Sequence, residues 1–245
     1  MAVSNMREIK LNETCNYVHL MSGGLDSAYS LLRIAKEKKE KEPSAVIHPI
    51  FFDYGQFAAE AEWASVAKIV RYIRSLLNEQ SIVDDPVKIS LESELFQWSE
   101  SDVMKGLKGK LNLEIENRNL VLSSVLASYL MACTNHQNIP DAKFIISSGF
   151  KDEEMKDCGR DFFDKIEILL SLYKPAMKFH FDMLKGWSRK RVIHETEELL
   201  GSNKTKLNDF CQLTISCNRP SSDGKPCGGC SKCISLELEK TRAHS

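Results

Sequence analysis

The sequence predicts an α/β protein: a doubly wound, mostly parallel sheet with a small C-terminal cysteine module. Three observations carry this. Short apolar runs rich in β-branched and aromatic residues alternate with longer stretches whose apolar residues recur at helical spacing. Several of those runs end in polar, chemistry-bearing segments, which is where open α/β sheets bind ligands. The chain has 245 residues, enough to bury one large core together with a small module.

In chain order, residues 1–16 read as a polar leader that packs late or stays mobile. Tyr17 to Met21 is short and apolar, a buried first strand. Ser22-Gly23-Gly24-Leu25-Asp26-Ser27 follows, and Ala28 to Lys36 then repeats apolar residues at helical spacing. The six residues therefore sit where a strand becomes a helix. Adjacent glycines turn the backbone tightly and leave no Cβ in the way of a ligand. The first N–H groups of the helix lack intrahelical partners, its dipole points its positive end at the loop, and Ser22 and Ser27 add hydroxyls. That combination suits phosphate or pyrophosphate; the bland alternative is a tight strand–helix connection. The lysine of a Walker A loop is missing.

The charge run 36–42 reads as a solvated helix end. Ala45 to Phe52 is a second strand in which Pro49 predicts an irregularity or a sheet edge, and it ends in Asp53-Tyr54-Gly55-Gln56. A helix over 57–77 and a third strand over 87–91 come next, then an irregular excursion over 92–113. Asn117-Arg118-Asn119 opens an apolar helix running to about 134. A strand over 143–148, a polar loop from 149 to 158, an amphipathic helix over 162–173 and a short last strand over 179–184 follow. Ser188 caps a helix ending near Leu200, and cysteine-rich loops with a short tail helix close the chain. The motifs at 22–27, 53–56, 117–119 and 149–160 would then share the carboxyl edge of the sheet.

Charged residues make up 27 % and hydrophobic ones 42 %, with a formal net charge of -1. No basic surplus exists to hold a nucleic-acid backbone, so no direct nucleic-acid binding is expected and a small molecule is the expected substrate. The longest apolar run, Leu120 to Cys133, is broken by Ser123, Ser124 and Ser128 and reads as a buried helix, not a membrane span. The N-terminus has no signal-peptide apolar stretch, which predicts a cytoplasmic protein. Eight cysteines in that compartment argue against a disulfide framework.

Four of those cysteines crowd into seventeen residues: Cys217, Cys227, Cys230 and Cys233. Gly228 and Gly229 allow the tight turn that brings Cys227 and Cys230 onto one ion. Four thiolates suit a closed, structural zinc site; an iron–sulfur cluster also takes four. Cys15, Cys133 and Cys211 read as small core residues.

The loop at 22–27, Phe52 to Gln56, Arg118-Asn119, Asp157-Cys158 and the four terminal cysteines together resemble, in the same order, the QueC family of 7-cyano-7-deazaguanine synthases, over roughly residues 17 to 238. The resemblance implies a PP-loop fold of the adenine nucleotide alpha hydrolase type, with a leader (1–16), an ATP-binding domain (17–205) and a zinc module with a tail helix (206–245). It implies ATP with Mg²⁺, structural Zn²⁺, a homodimer, and release of AMP and pyrophosphate. The carboxylate of 7-carboxy-7-deazaguanine is adenylated, ammonia gives the amide, and a second adenylation gives the nitrile. Met21, Ser22, Gly23, Gly24, Leu25, Asp26, Ser27, Phe52 and Asp53 are the expected ATP residues. Asp26, Ser27 and Arg118 are the expected catalytic ones. Tyr54, Gln56, Arg118, Asn119, Asp157 and Arg160 are expected at the substrate. Asp26 and Asp53 are candidate carboxylates for Mg²⁺; Asp26 equally suits a helix start. Phe52 and Tyr54 suit stacking on a base or filling the core. Asp157 either reads the base or caps the next helix.

Where the family carries Pro-Ala/Gly-Arg-Asn, this chain has Glu116-Asn117-Arg118-Asn119. Where the family's base-recognition loop reads Ser-Gly-Tyr-Pro-Asp-Cys-Arg-Pro, this chain has Glu153-Glu154-Met155-Lys156-Asp157-Cys158-Gly159-Arg160. The family's Ser-Lys before the last helix is Ser188-Arg189. The ATP loop and cysteine module are kept while the substrate side drifts. This leaves a second expectation open, a QueC-like enzyme of CBASS-type anti-phage defence that joins the activated deazaguanine to a protein amine. The charge balance disfavours tRNA thiolation, and the intact loop disfavours a zinc-ribbon binding module without catalysis.

Overall fold

The computed structural model describes residues 7–91, 118–151, 157–184, 187–217, 219–221, 225–230 and 233. The excursion at 92–113, the middle of the polar loop at 152–156 and the tail helix lie outside the described residues. Among the described residues, five strands form one sheet: β1 (Asn16–Met21), β2 (Ile47–Asp53), β3 (Val87–Ser90), β4 (Lys143–Lys151) and β5 (Lys178–Leu184). Their order is β3-β2-β1-β4-β5 and every pair is parallel. The described helices are α1 (Leu25–Lys41), α2 (Ala59–Leu77), α3 (Arg118–His136), α4 (Arg160–Tyr173), α5 (Arg189–Leu199) and α6 (Lys204–Gln212). The strand order reverses beside β1, which opens a crevice between the carboxyl ends of β1 and β4.

Side chains alternate across each strand, and the two faces build two cores. Tyr17, Met21, Ile47 and Phe51 pack with Leu31, Val66, Ile69, Val192 and Phe210 of α1, α2, α5 and α6. Val18, Ile50, Phe52, Ile89, Phe144 and Phe181 pack with Leu126, Leu130, Phe163 and Ile166 of α3 and α4. This is the doubly wound architecture expected. No described helix is long and apolar enough to cross a membrane.

The structure corrects four expectations. Residues 7–15 are not a loose leader: Ile9 and Leu11 are buried in the second core, and the Gln137 side chain bonds the Ile9 carbonyl and the Leu11 N–H. Of the two alternatives for Pro49, the edge is excluded and the irregularity is present: Pro49 lies in an interior strand with unbroken register to β1, but the pairing toward β3 shifts by one residue across it. The Ile47 N–H points to the Ile82 carbonyl on the β3 side, and by the two-residue period Pro49 faces the same way. Its missing donor falls between the isolated Ile47–Val83 bridge and the first β3 pair, Ile50–Val87, so no ladder bond is lost. β4 runs on to Lys151, so Gly149 belongs to a strand and not to the polar loop. Finally, α6 precedes the cysteines, capped by Asn203, whose side chain accepts from the Lys206 N–H. The helix start at Ser188 is as expected, with its hydroxyl accepting from the Arg191 N–H at 3.2 Å.

Candidate active site

The loop after β1 is built by its glycines and serines. Gly23 has φ +70, a conformation L side chains rarely adopt, and a Cβ there would come within 2.7 Å of the Glu62 carbonyl on α2. Gly24 is the N-cap of α1, in extended conformation and without a side-chain cap bond. The helix starts at Leu25, so Asp26 and Ser27 lie in its first turn. Ser27 Oγ donates to the Gly24 carbonyl at 3.0 Å, accepts from the Ser22 N–H at 3.3 Å, and lies 3.1 Å from Ser22 Oγ. The loop is thereby closed on itself, with the positive end of α1 facing outward.

Two residues the sequence does not single out hold this turn from behind. His19 is fully buried; its Nε2 lies 2.8 Å from the Ser27 carbonyl and its Nδ1 2.7 Å from Ser147 Oγ. A carbonyl only accepts, so Nε2 carries the proton and Nδ1 accepts from the serine hydroxyl. Burial pushes the imidazole pKa down to about 4, so the ring is neutral. Gly149 on β4 faces the first turn of α1: a Cβ there would meet the Ser27 nitrogen at 2.6 Å and the Asp26 carbonyl carbon at 2.7 Å. Only a glycine lets the strand approach the loop this closely.

A cavity of about 260 Å³ opens at this edge. Met21, Ser22, Asp26, Ser27, Phe52, Tyr54, Gln56, Arg118 and Asn119 all line it, so three segments far apart in sequence converge. Gly149, from the 149–160 motif, lines it too, as do Glu62, Leu122 and Ser148, which were not expected. Gly23, Gly24 and Leu25 are not among the lining residues; Leu25 is buried in the core. Gln56 is committed locally: its Oε1 accepts from the Tyr54 N–H, and its Nε2 donates to the Phe52 carbonyl and to Glu62.

Asp53, expected at the nucleotide, does not line the cavity. Its carboxylate pairs with Lys88 of β3 at 2.8 Å and accepts from the Gly55 N–H, holding the turn after β2. Arg160, expected at the substrate, does not line the cavity either. Its guanidinium is taken up by Asp164, Glu167 and the Phe181 carbonyl, which ties α4 to β5. Asp157 does not line the cavity and does not cap α4 either, since Gly159 is the N-cap without a side-chain bond. Instead the buried amide of Asn119 donates to the Asp157 carbonyl at 2.9 Å and to Cys158 Sγ at 3.3 Å, so α3 clamps this pair beside the cavity. Burial, with the adjacent Asp157 carboxylate, pushes the Cys158 thiol up to about 11.

The four C-terminal cysteines come together. Their sulfur atoms all lie within 4.8 Å of one another, with Cys230 and Cys217 at 4.0 Å. Backbone N–H groups of Arg219 and Cys227 point at Cys217 Sγ, and that of Cys233 at Cys230 Sγ. Gly228 has φ +71 within the turn joining Cys227 and Cys230. Such a cluster can hold a metal ion.

Among solved structures, the chain is similar to a U34-tRNA thiolase, NcsA from Methanococcus maripaludis with its [4Fe-4S] cluster, at 14% identity and a TM-score of 0.40, covering 94% of this chain and 73% of that one. No curated protein matches the sequence. A family profile described as Queuosine biosynthesis protein QueC matches residues 16–238. By that match, which spans both the phosphate-type loop and the four cysteines, the chain belongs to the QueC family of ATP-using PP-loop enzymes of the queuosine type.

Proposed function

We propose that this enzyme activates the carboxylate of 7-carboxy-7-deazaguanine with ATP, passes the acyl group to ammonia, and carries the amide on to the nitrile. A carboxylate is a poor acceptor because oxide is a poor leaving group. Attack of its oxygen on the α-phosphorus expels pyrophosphate and leaves an acyl-adenylate. Ammonia adds to the acyl carbon, loses a proton, and AMP departs with the C–O bond, giving the amide. A second ATP adenylates the amide oxygen; loss of the nitrogen protons and of AMP leaves the nitrile.

The observation that carries this reading is the cavity itself, where the helix-start loop meets the Arg118 guanidinium and the Phe52 and Tyr54 rings. Ser22, Ser27 and the backbone of Gly23 to Asp26 cradle the phosphates. Met21 and Phe52 offer an apolar wall to the adenine. Arg118, also at a helix start, meets the pyrophosphate or the substrate carboxylate. Asn119 holds Asp157 and Cys158 where the base would be read, and Tyr54 covers it. Asp26 and Glu62, the cavity's carboxylates, suit the hard cation that accompanies ATP and shields its phosphates; Asp53 serves through Lys88.

Zinc is the metal proposed for Cys217, Cys227, Cys230 and Cys233. Zn–S bonds of about 2.3 Å put tetrahedral sulfur atoms roughly 3.8 Å apart, close to the spacing of these thiols, whereas a four-iron cluster needs its thiolates spread wider. Four cysteines gathered as metal-binding thiols and not as disulfides suit a reducing, cytoplasmic setting. The enzyme works as a homodimer.

With 7-carboxy-7-deazaguanine, ATP and ammonia, the protein should release AMP and pyrophosphate and yield the nitrile by mass spectrometry. Asp26→Ala should abolish turnover. Release of ADP and phosphate instead would rule out the mechanism.

A further inference from the structure

The Gly23 carbonyl is held from outside the loop by two donors, one on α2 and one on the segment that leads to the cysteine module. Ser65 Oγ of α2 lies 2.9 Å from it, and the Ile215 N–H, on the segment leading to the cysteine module, donates to it at 2.8 Å. Ser65 is 4 % exposed. Its hydroxyl also lies 2.5 Å from the Leu213 carbonyl, so one proton is shared between the loop and that same segment. The described peptides are all trans. In a planar trans peptide the C=O and the following N–H point in opposite directions. Fixing the Gly23 oxygen toward α2 and Ile215 therefore aims the Gly24 N–H the other way. It points at Ser22 Oγ, 3.4 Å off, on the side of the loop that lines the cavity. Two glycines in a row leave this peptide unusually free to turn over, and that freedom is what the two donors remove.

We propose that Ser65 and the Ile215 N–H are positioning groups for the phosphate loop, which orient the Gly24 N–H toward the anion. This rests on the reading of the loop as an ATP site. It makes the approach to the cysteine module part of the nucleotide site: Ile215 is two residues from Cys217, and Gly24 lies against its carbonyl, 3.5 Å from where a Cβ would be.

Ser65→Ala removes one oxygen and keeps a residue with high helix propensity in α2. Binding is measured on the full-length, metal-replete protein by titration calorimetry with two probes, pyrophosphate and adenosine. The brace acts on phosphate alone, so the variant should bind pyrophosphate roughly tenfold more weakly, as expected for one lost positioning bond, and adenosine as the wild type does. Unchanged pyrophosphate affinity would overturn the proposal, as would an equal loss for both probes, which marks a merely structural serine. A wild type that binds adenosine but neither pyrophosphate nor ATP would instead remove the phosphate reading of the loop, and the proposal with it.

Discussion

His19 shows how one residue links the core to the site. From β1 its ring bonds the Ser27 carbonyl, and it must stay neutral to accept from Ser147. An unfolded histidine titrates near 6.5, whereas burial holds this one to about 4. Between those values the unfolded chain binds a proton that the native chain refuses. Stability is therefore complete above pH 6.5 and is lost as pH falls, by about 2 kcal/mol at pH 5. His48, lowered by burial despite the pull of Asp84, adds in the same direction. Urea unfolding between pH 7 and 5, above the carboxylate range, should show the wild type weakening steadily and His19→Gln weakening less. A flat wild-type profile over that range would contradict the assignment. The neighbouring Gly149 makes the complementary point: it is needed for what it lacks, since any side chain would enter the first turn of α1.

At the scale of elements, the sheet is legible because buried parallel strands read as apolar runs and the helices keep their period. What escapes are features decided by contacts between distant segments. Glycine reads as a breaker, so the sequence stops β4 at Ser148, although Gly149 marks a close approach inside a strand. Helix α6 is polar, with Phe210 its only fully buried side chain, and only the Asn203 cap signals it. The charge run after Ile34 looks solvated, yet Lys36 and Lys39 reach the carbonyls of Leu199 and Leu77 at the ends of α5 and α2. Within the site, the strand-end motifs are readable one by one. The Lys88 pairing that withdraws Asp53, and the Phe181 carbonyl that withdraws Arg160, are not, because the partners lie on other elements. The cysteine module is the most legible element, since its ligands are close in sequence. Metal analysis should find one zinc per chain, and a strong chelator should lower the melting temperature, because a closed site contributes folding energy. Iron with sulfide, or a melting temperature indifferent to chelation, would refute a structural zinc.

Across the whole molecule, one surface does not match its surroundings. Helix α4 buries Phe163, Ile166 and Leu170, as an amphipathic helix should. Its last two turns nonetheless expose Ile168 (63%), Leu169 (43%), Leu172 (73%) and Tyr173 (80%) on the opposite side. Side by side these make a patch on the order of a few hundred Å², a size at which exposed apolar patches are often functional. The charges around it favour a second copy of the same helix as its cover. Asp161 and Asp164 are exposed in the first turns, Asp164 already paired with Arg160, while Lys174 and Lys178 follow the end. An antiparallel pairing about a two-fold axis lays the apolar turns on each other and brings the acidic turns of one copy beside the lysines of the other. A two-fold contact also closes, leaving no patch for a third chain. A stable dimer buries about 800 Å² per partner, so the contact must spread from α4 onto β5, the edge strand of the described sheet. Light scattering after size exclusion should give the mass of two chains for the wild type at micromolar concentration. Leu172→Glu puts a charge in the centre of the contact without touching the core, and should give the mass of one chain with an unchanged melting profile at high dilution. A dimer that survives this substitution would place the interface elsewhere, and a wild type of single-chain mass would show that α4 is covered by something other than itself.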